Sequence, residues 1–92
     1  MQSEKVVRVT VNGSGLPVPD QDPVSIKKNN QKVRWQADFD FDIRITGYGD
    51  VQKTNVGSET RVTSGTFADV KRYKYTIIAN GVENDPDVEV LP

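Results

Sequence analysis

Histidine and cysteine are both absent from this chain, and methionine occurs once, at Met1. Without cysteine there is no disulfide framework and no thiolate nucleophile, and the redox compartment cannot be read. Without histidine the serines lack their usual activating base, and no lysine motif stands in for it. Paired carboxylates could do acid–base work only in a shaped cleft, which a domain this small rarely builds alone. No enzyme activity is therefore expected. Long apolar runs are lacking too. No stretch approaches the roughly 20 residues of a membrane-crossing helix, so no membrane partner is expected. The polar opening, residues 1–5, has no apolar signal-peptide core, although a leader already removed would leave the same start. Neither sign of charge dominates: 12 basic residues face 13 acidic ones, for a net charge of −1. Nucleic acid is accordingly not expected as a partner.

What is present is strand after strand. Ninety-two residues fit one domain, residues 1–92, with a single core. A chain of this size buries roughly 60–65% of its unfolded surface, enough for two packed layers. Val7, Val9 and Val11 alternate with Arg8, Thr10 and Asn12, a period of two. Residues 16–23 follow as a proline-rich connection that cannot be a central strand. Residues 24–27 and 32–37 alternate again about the polar turn Lys28-Asn29-Asn30-Gln31, and this pair reads as a hairpin. The clearest strand is residues 38–46. Phe39, Phe41, Ile43 and Ile45 share one face; Asp38, Asp40, Asp42 and Arg44 share the other. Residues 51–59 have no firm period and read as a loop with at most one short edge strand. Residues 60–63, 72–79 and 88–91 read as strands, with the turn dipeptide Asn80-Gly81 between the last two. About seven short strands and no helical window predict an all-β, seven-stranded antiparallel Greek-key sandwich.

Three segments in order resemble the cupredoxin family. Residues 22–35 are similar to its opening strand, polar turn and Val-x-Trp strand, ending here on Val33 and Trp35. Residues 41–45 are similar to the segment that supplies its first copper-ligating histidine. Gly65-Thr66-Phe67 with residues 72–77 resembles the strand carrying a corner tyrosine and, four residues on, the ligand cysteine. Val88-Glu89-Val90 resembles the closing strand. The resemblance implies a cupredoxin-like sandwich, with an immunoglobulin-like or fibronectin-like arrangement of the same strands as the alternative. It also places the first ligand histidine at Phe41 and the ligand cysteine at Ile77. A blue-copper centre needs two imidazoles and a thiolate, none of which this chain can supply. No copper site, and no other cofactor, is expected; the two ligand positions are expected to be ordinary core.

The remaining polar sets have bland readings beside sharp ones. Asp38, Asp40 and Asp42 suggest a cation surface, yet a straight strand does not converge its carboxylates, and a solvated face balanced by Arg44 and basic neighbours is expected. Glu83, Asp85 and Asp87, with Asp20 and Asp22, make a better calcium candidate, although ordinary turn chemistry accounts for them. Lys27, Lys28, Lys32 and Arg34 surround one turn and Lys71, Arg72 and Lys74 form a second basic group, with Tyr48 and Tyr73 as possible stacking partners. Trp35 and Tyr75 are expected in the core, and Tyr73 is expected to bond backbone near residues 67–70 as a corner tyrosine. Residues 47–59 are the expected binding surface. The expected function is a monomeric protein-binding or structural module. The alternatives are a small-ligand or carbohydrate-binding module and a calcium-dependent interaction domain.

Overall fold

The computed structural model describes residues 3–49 and 51–92, and among these it holds strands and no helix. Ten strands are formed: β1 (Ser3–Val11), β2 (Pro17–Pro19), β3 (Val24–Lys27), β4 (Gln31–Ala37), β5 (Asp42–Ile45), β6 (Val51–Val56), β7 (Glu59–Ser64), β8 (Arg72–Ala79), β9 (Val82–Asn84) and β10 (Asp87–Leu91). One sheet runs β2-β1-β4-β7-β6 and the other β3-β10-β8-β5, with β9 also paired to β8. The all-β, two-sheet expectation holds. The strand count does not, and neither sheet is purely antiparallel: β1 runs parallel to β4, and β10 parallel to β3.

One core lies between the sheets. Val7, Val9, Val33, Trp35, Ala37 and Val62 close it from the first sheet. Val24, Ile26, Ile43, Ile45, Tyr73, Tyr75, Ile77, Val88 and Val90 close it from the second. Phe41 and Phe67 fill it from the connecting segments. β3, β4, β5, β7 and β10 bury alternate side chains, as their period of two requires.

Residues 24–27 and 31–37 do not form the expected hairpin. β3 pairs with β10, while β4 pairs with β1 and β7, so the connection crosses from sheet to sheet. Asn29, at φ 59, makes the sharp bend. Its amide donates to the Phe67 carbonyl and that of Lys28 to the Leu91 carbonyl. The Gln31 side chain closes the arch by accepting the Lys27 amide at 2.8 Å. A hairpin would place Val24 and Ile26 in the same sheet as Val33 and Trp35; the arch sets them on opposite walls of one core.

Residues 51–59, expected as a loop with at most one short edge strand, do hold an edge strand, β6, but it takes up most of the stretch. β6 and β7 pair in register from Val51↔Ser64 to Val56↔Glu59 about the turn Gly57-Ser58. β6 is exposed along nearly its whole length, which removes the hydrophobic period that would have marked it. The expected strand 38–46 pairs only over Asp42–Ile45. Phe39 and Phe41 still turn inward from an extended approach that makes no ladder. The Asn80-Gly81 turn is present, both residues at positive φ (53 and 74), as a type I′ hairpin demands. The proline-rich connection holds no central strand, as expected; its one strand, β2, lies at a sheet edge. The amide of Asn12 reaches the Leu16 carbonyl and that of Asp20 the Arg8 carbonyl. Pro17 and Pro19, of opposite phase, therefore carry their missing N–H groups on the outer side.

Candidate functional site

Phe41 and Ile77, the positions the resemblance assigns to copper ligands, are 1% and 0% exposed. They share an inward face of neighbouring strand segments, since Ile43 pairs with Ile77 and Asp42 with Ile78. Both are apolar core, and neither offers a donor atom.

The loops at the end of the molecule nearest these residues shape a cleft of about 360 Å³ lined by Val11, Gly15, Phe39, Asp40, Ala79 and Asn80. Three backbone devices set its walls. Asn12 organises the β1–β2 loop: its side-chain oxygen accepts the Ser14 and Leu16 amides at 2.9 and 3.0 Å. Gly15 then turns at φ 81, where a side chain would be strained. The type I′ turn presents Asn80 on the facing wall. Phe39 forms the floor, held edge-on against Phe41 at 6.1 Å. Val11 stands 48% exposed at the rim.

Asp40 is the charged group of the cleft, and it is not free. Lys53 of β6 reaches across the open side of the sandwich to Asp40 at 2.8 Å and Asp42 at 3.0 Å. These two hydrogen-bonded carboxylates raise the Lys53 pKa above its ordinary value, Asp40 contributing most. Arg8 approaches Asp38 at 3.6 Å. The aspartate face is thus balanced from the other sheet. Arg44, the expected balance, turns instead to Glu83 at 3.8 Å.

The structure does bring Asp22 beside Asp87, whose amide donates to the Asp22 carboxylate at 3.0 Å. The other carboxylates there are spent separately. Asp85 accepts the Thr76 hydroxyl at 2.7 Å, Asp87 pairs with Arg72 and Lys74, and Asp20 accepts the Arg8 amide. Among the described residues no three carboxylates converge to hold a metal ion.

The aromatic residues proposed for stacking pack inward. Tyr48 stacks on Phe67 at 4.2 Å and Tyr73 leans on Phe67 at 5.0 Å. A tyrosine hydroxyl does bond backbone before Phe67, but it belongs to Tyr48, which donates to the Thr66 carbonyl at 3.0 Å. Tyr73 was the expected residue; it instead carries Lys71 over its ring at 4.7 Å. In the basic groups, Arg34 pairs with Glu4, and Arg72 and Lys74 with Asp87.

Trp35 and Tyr75 are core, as expected, with rings 4.9 Å apart. Among the described residues, neither the indole Nε1 nor the Tyr75 hydroxyl finds a hydrogen-bond partner. Burial, reinforced by the negative charge of Asp22, Asp20 and Asp87, pushes the Tyr75 pKa far up, so this hydroxyl stays neutral.

In the sequence Val11 reads only as part of an alternating run, Asn12-Gly13-Ser14-Gly15 only as a tight turn, and Lys53 only as one residue of the expected binding surface 47–59. No protein-family model matches the chain, and no curated protein matches it.

Proposed function

We propose that this domain is a non-catalytic, cupredoxin-like sandwich without a copper site that binds another protein through its loop end. The observation that carries the reading is the half-apolar cleft of about 360 Å³ between Val11, Phe39 and Asn80. Its lining residues Asp40 and Ala79 lie one and two positions along the chain from Phe41 and Ile77, which supports a contact surface at the end that would serve a metal in the resembled family. An exposed valine beside a recessed aromatic floor is suited to receive an apolar anchor side chain, with Asp40 and Asn80 fixing its orientation. A parallel pair in each sheet weighs against a wholly antiparallel immunoglobulin-like arrangement.

A small ligand is the second reading, because the volume falls at the low end of the roughly 300–1,000 Å³ range of ligand pockets. Amide chemical-shift mapping decides between them. The domain is titrated with fractionated cell extract and with a glycan panel, beside a Val11→Asp variant. Shifts at Val11, Gly15, Phe39 and Asn80 that follow a protein fraction and vanish in the variant support protein binding. Shifts produced by sugars alone, or confined to the opposite end of the sandwich, overturn it.

A further inference from the structure

β6 is the longest strand lying wholly on an open sheet edge, and no proline interrupts it. The opposite edge of the same sheet, β2, is guarded by Pro17 and Pro19. In the second sheet the edge strands β3 and β5 have four residues each.

The turn between β6 and β7 holds two residues, and its first, Gly57, lies at φ 63. A two-residue turn makes its flanking residues, Val56 and Glu59, a hydrogen-bonded pair. Bonding to β7 then alternates through Thr54 and Gln52, so Val51, Lys53 and Asn55 direct their backbone groups to the open edge. The Val51 amide already donates to Gly49 at 3.1 Å. Among the described residues, no other backbone outside the strands meets the N–H and C=O of Lys53 and Asn55.

We propose that this edge pairs antiparallel with β6 of a second copy of the chain, about a two-fold axis at Thr54. Lys53 of each copy then stands opposite Asn55 of the other, and the two pairs exchange about four backbone hydrogen bonds. Thr54 meets Thr54 at the axis, a favourable cross-strand pair, and Gln52 meets Val56. No like charges are opposed. A register centred one residue earlier would set Lys53 against Lys53.

A lysine on an edge strand ordinarily discourages such pairing. Here its ammonium is held by Asp40 and Asp42 of its own chain at 2.8 and 3.0 Å, so an approaching copy does not meet an uncompensated lysine charge on the strand. Isologous contacts of this kind are the commonest way a chain pairs with itself. The contact is small, which places it among transient interfaces and predicts a dimer only at high protein concentration. The inference does not depend on the loop-end cleft.

Analytical ultracentrifugation with charge-swapped variants tests it. Wild type should rise from one-chain mass toward twice that mass as concentration approaches the millimolar range. Thr54→Lys and Thr54→Glu each place like charges across the axis, and each alone should dimerise several-fold more weakly. An equimolar mixture of the two should recover the wild-type association. Thr54 is exposed on the outer face, so both variants fold, as an unchanged circular-dichroism spectrum would verify. Asn55→Pro removes a donor the single chain does not use and should abolish pairing. A wild type that keeps one-chain mass throughout overturns the inference. So does a dimer indifferent to the Thr54 variants, or variants that dimerise no better mixed than alone. An edge reserved for an extended segment of a different protein would give the first of these results.

Discussion

Replacing Ile77 by alanine tests whether the position assigned to a copper-ligating cysteine is now core. Ile77 is 0% exposed at the middle of β8, facing Ile43 across the ladder. The change removes three carbons, and at ~0.8 kcal/mol each the lost transfer energy is about 2.4 kcal/mol. The cavity left between two sheets that cannot collapse adds to this, within the roughly 2–5 kcal/mol observed for buried isoleucine truncations. About 3–4 kcal/mol is expected, out of a total stability of order 5–14 kcal/mol for a chain this size. The neighbour Ile78 is the internal control. It lies on the outer face opposite Asp42 and is only half-buried, so Ile78→Ala should cost under about 1 kcal/mol. Urea unfolding followed by Trp35 fluorescence reads both, with the midpoint falling at constant slope. On heating, Ile77→Ala should melt about 15–25 °C lower. If Ile77→Ala costs less than about 1 kcal/mol, or no more than Ile78→Ala, then β8 does not have the facing described and Ile77 is not core.

Three further outcomes follow from other parts of the molecule. Lys53 has a raised folded pKa, so its clasp contributes fully below the unfolded value of about 10.4, and the contribution fades as pH rises through the folded pKa. Because the pair is largely exposed, the loss is at most about 1 kcal/mol, and it should appear as a steeper decline in melting temperature above pH 10 for wild type than for Lys53→Met. At the arch, Asn29→Val forces a β-branched residue to φ 59 and should cost roughly 1–2 kcal/mol, whereas Asn30→Val, which carries no positive φ, should cost far less; chemical denaturation of the two variants compares them. Tyr48→Phe removes the hydroxyl that bonds the Thr66 carbonyl while keeping the stack on Phe67, and a loss of about 1 kcal/mol is expected where Tyr73→Phe should be near neutral.

How much of this was legible in the sequence depends on what periodicity encodes. Alternation reports which side chains face inward, and it did so correctly for Val33, Trp35 and Ala37, for Tyr73, Tyr75 and Ile77, and even for Phe39 and Phe41, where no ladder forms. It does not report which sheet a strand joins. Val24 and Ile26 present the same inward pattern whether they pair with β4 in a hairpin or face it across the core, and only the long-range partners β10 and β1 decide. Alternation also fails where a strand has no buried face. β6 carries Gln52, Lys53, Thr54 and Asn55 exposed in a row, so its pairing rests on the Gly57-Ser58 turn and the β7 ladder. The loop-end cleft was illegible for a related reason. Its walls come from residues 11–15, 39–40 and 79–80, which only the closure of both sheets brings together.

Lys53 joins the two surfaces that remain open. Its ammonium pairs with Asp40, a wall of the cleft, while its backbone lies on the free edge of β6. A single charge therefore bears on both. Shared between Asp40 and Asp42, it offsets part of the negative charge at the cleft wall. Held by the aspartates, Lys53 is withdrawn from the edge, which leaves the strand's own amides and carbonyls as its chief means of recognition. The chain lacks histidine and cysteine, so neither surface has a strong nucleophile or soft metal ligand at hand. What both have is shaped backbone: the Asn12 and Asn80 turns at the cleft and the unpaired ladder of β6 at the edge. On the proposed readings, recognition at both surfaces rests on backbone shape, with the largely exposed Lys53–Asp40–Asp42 cluster between them.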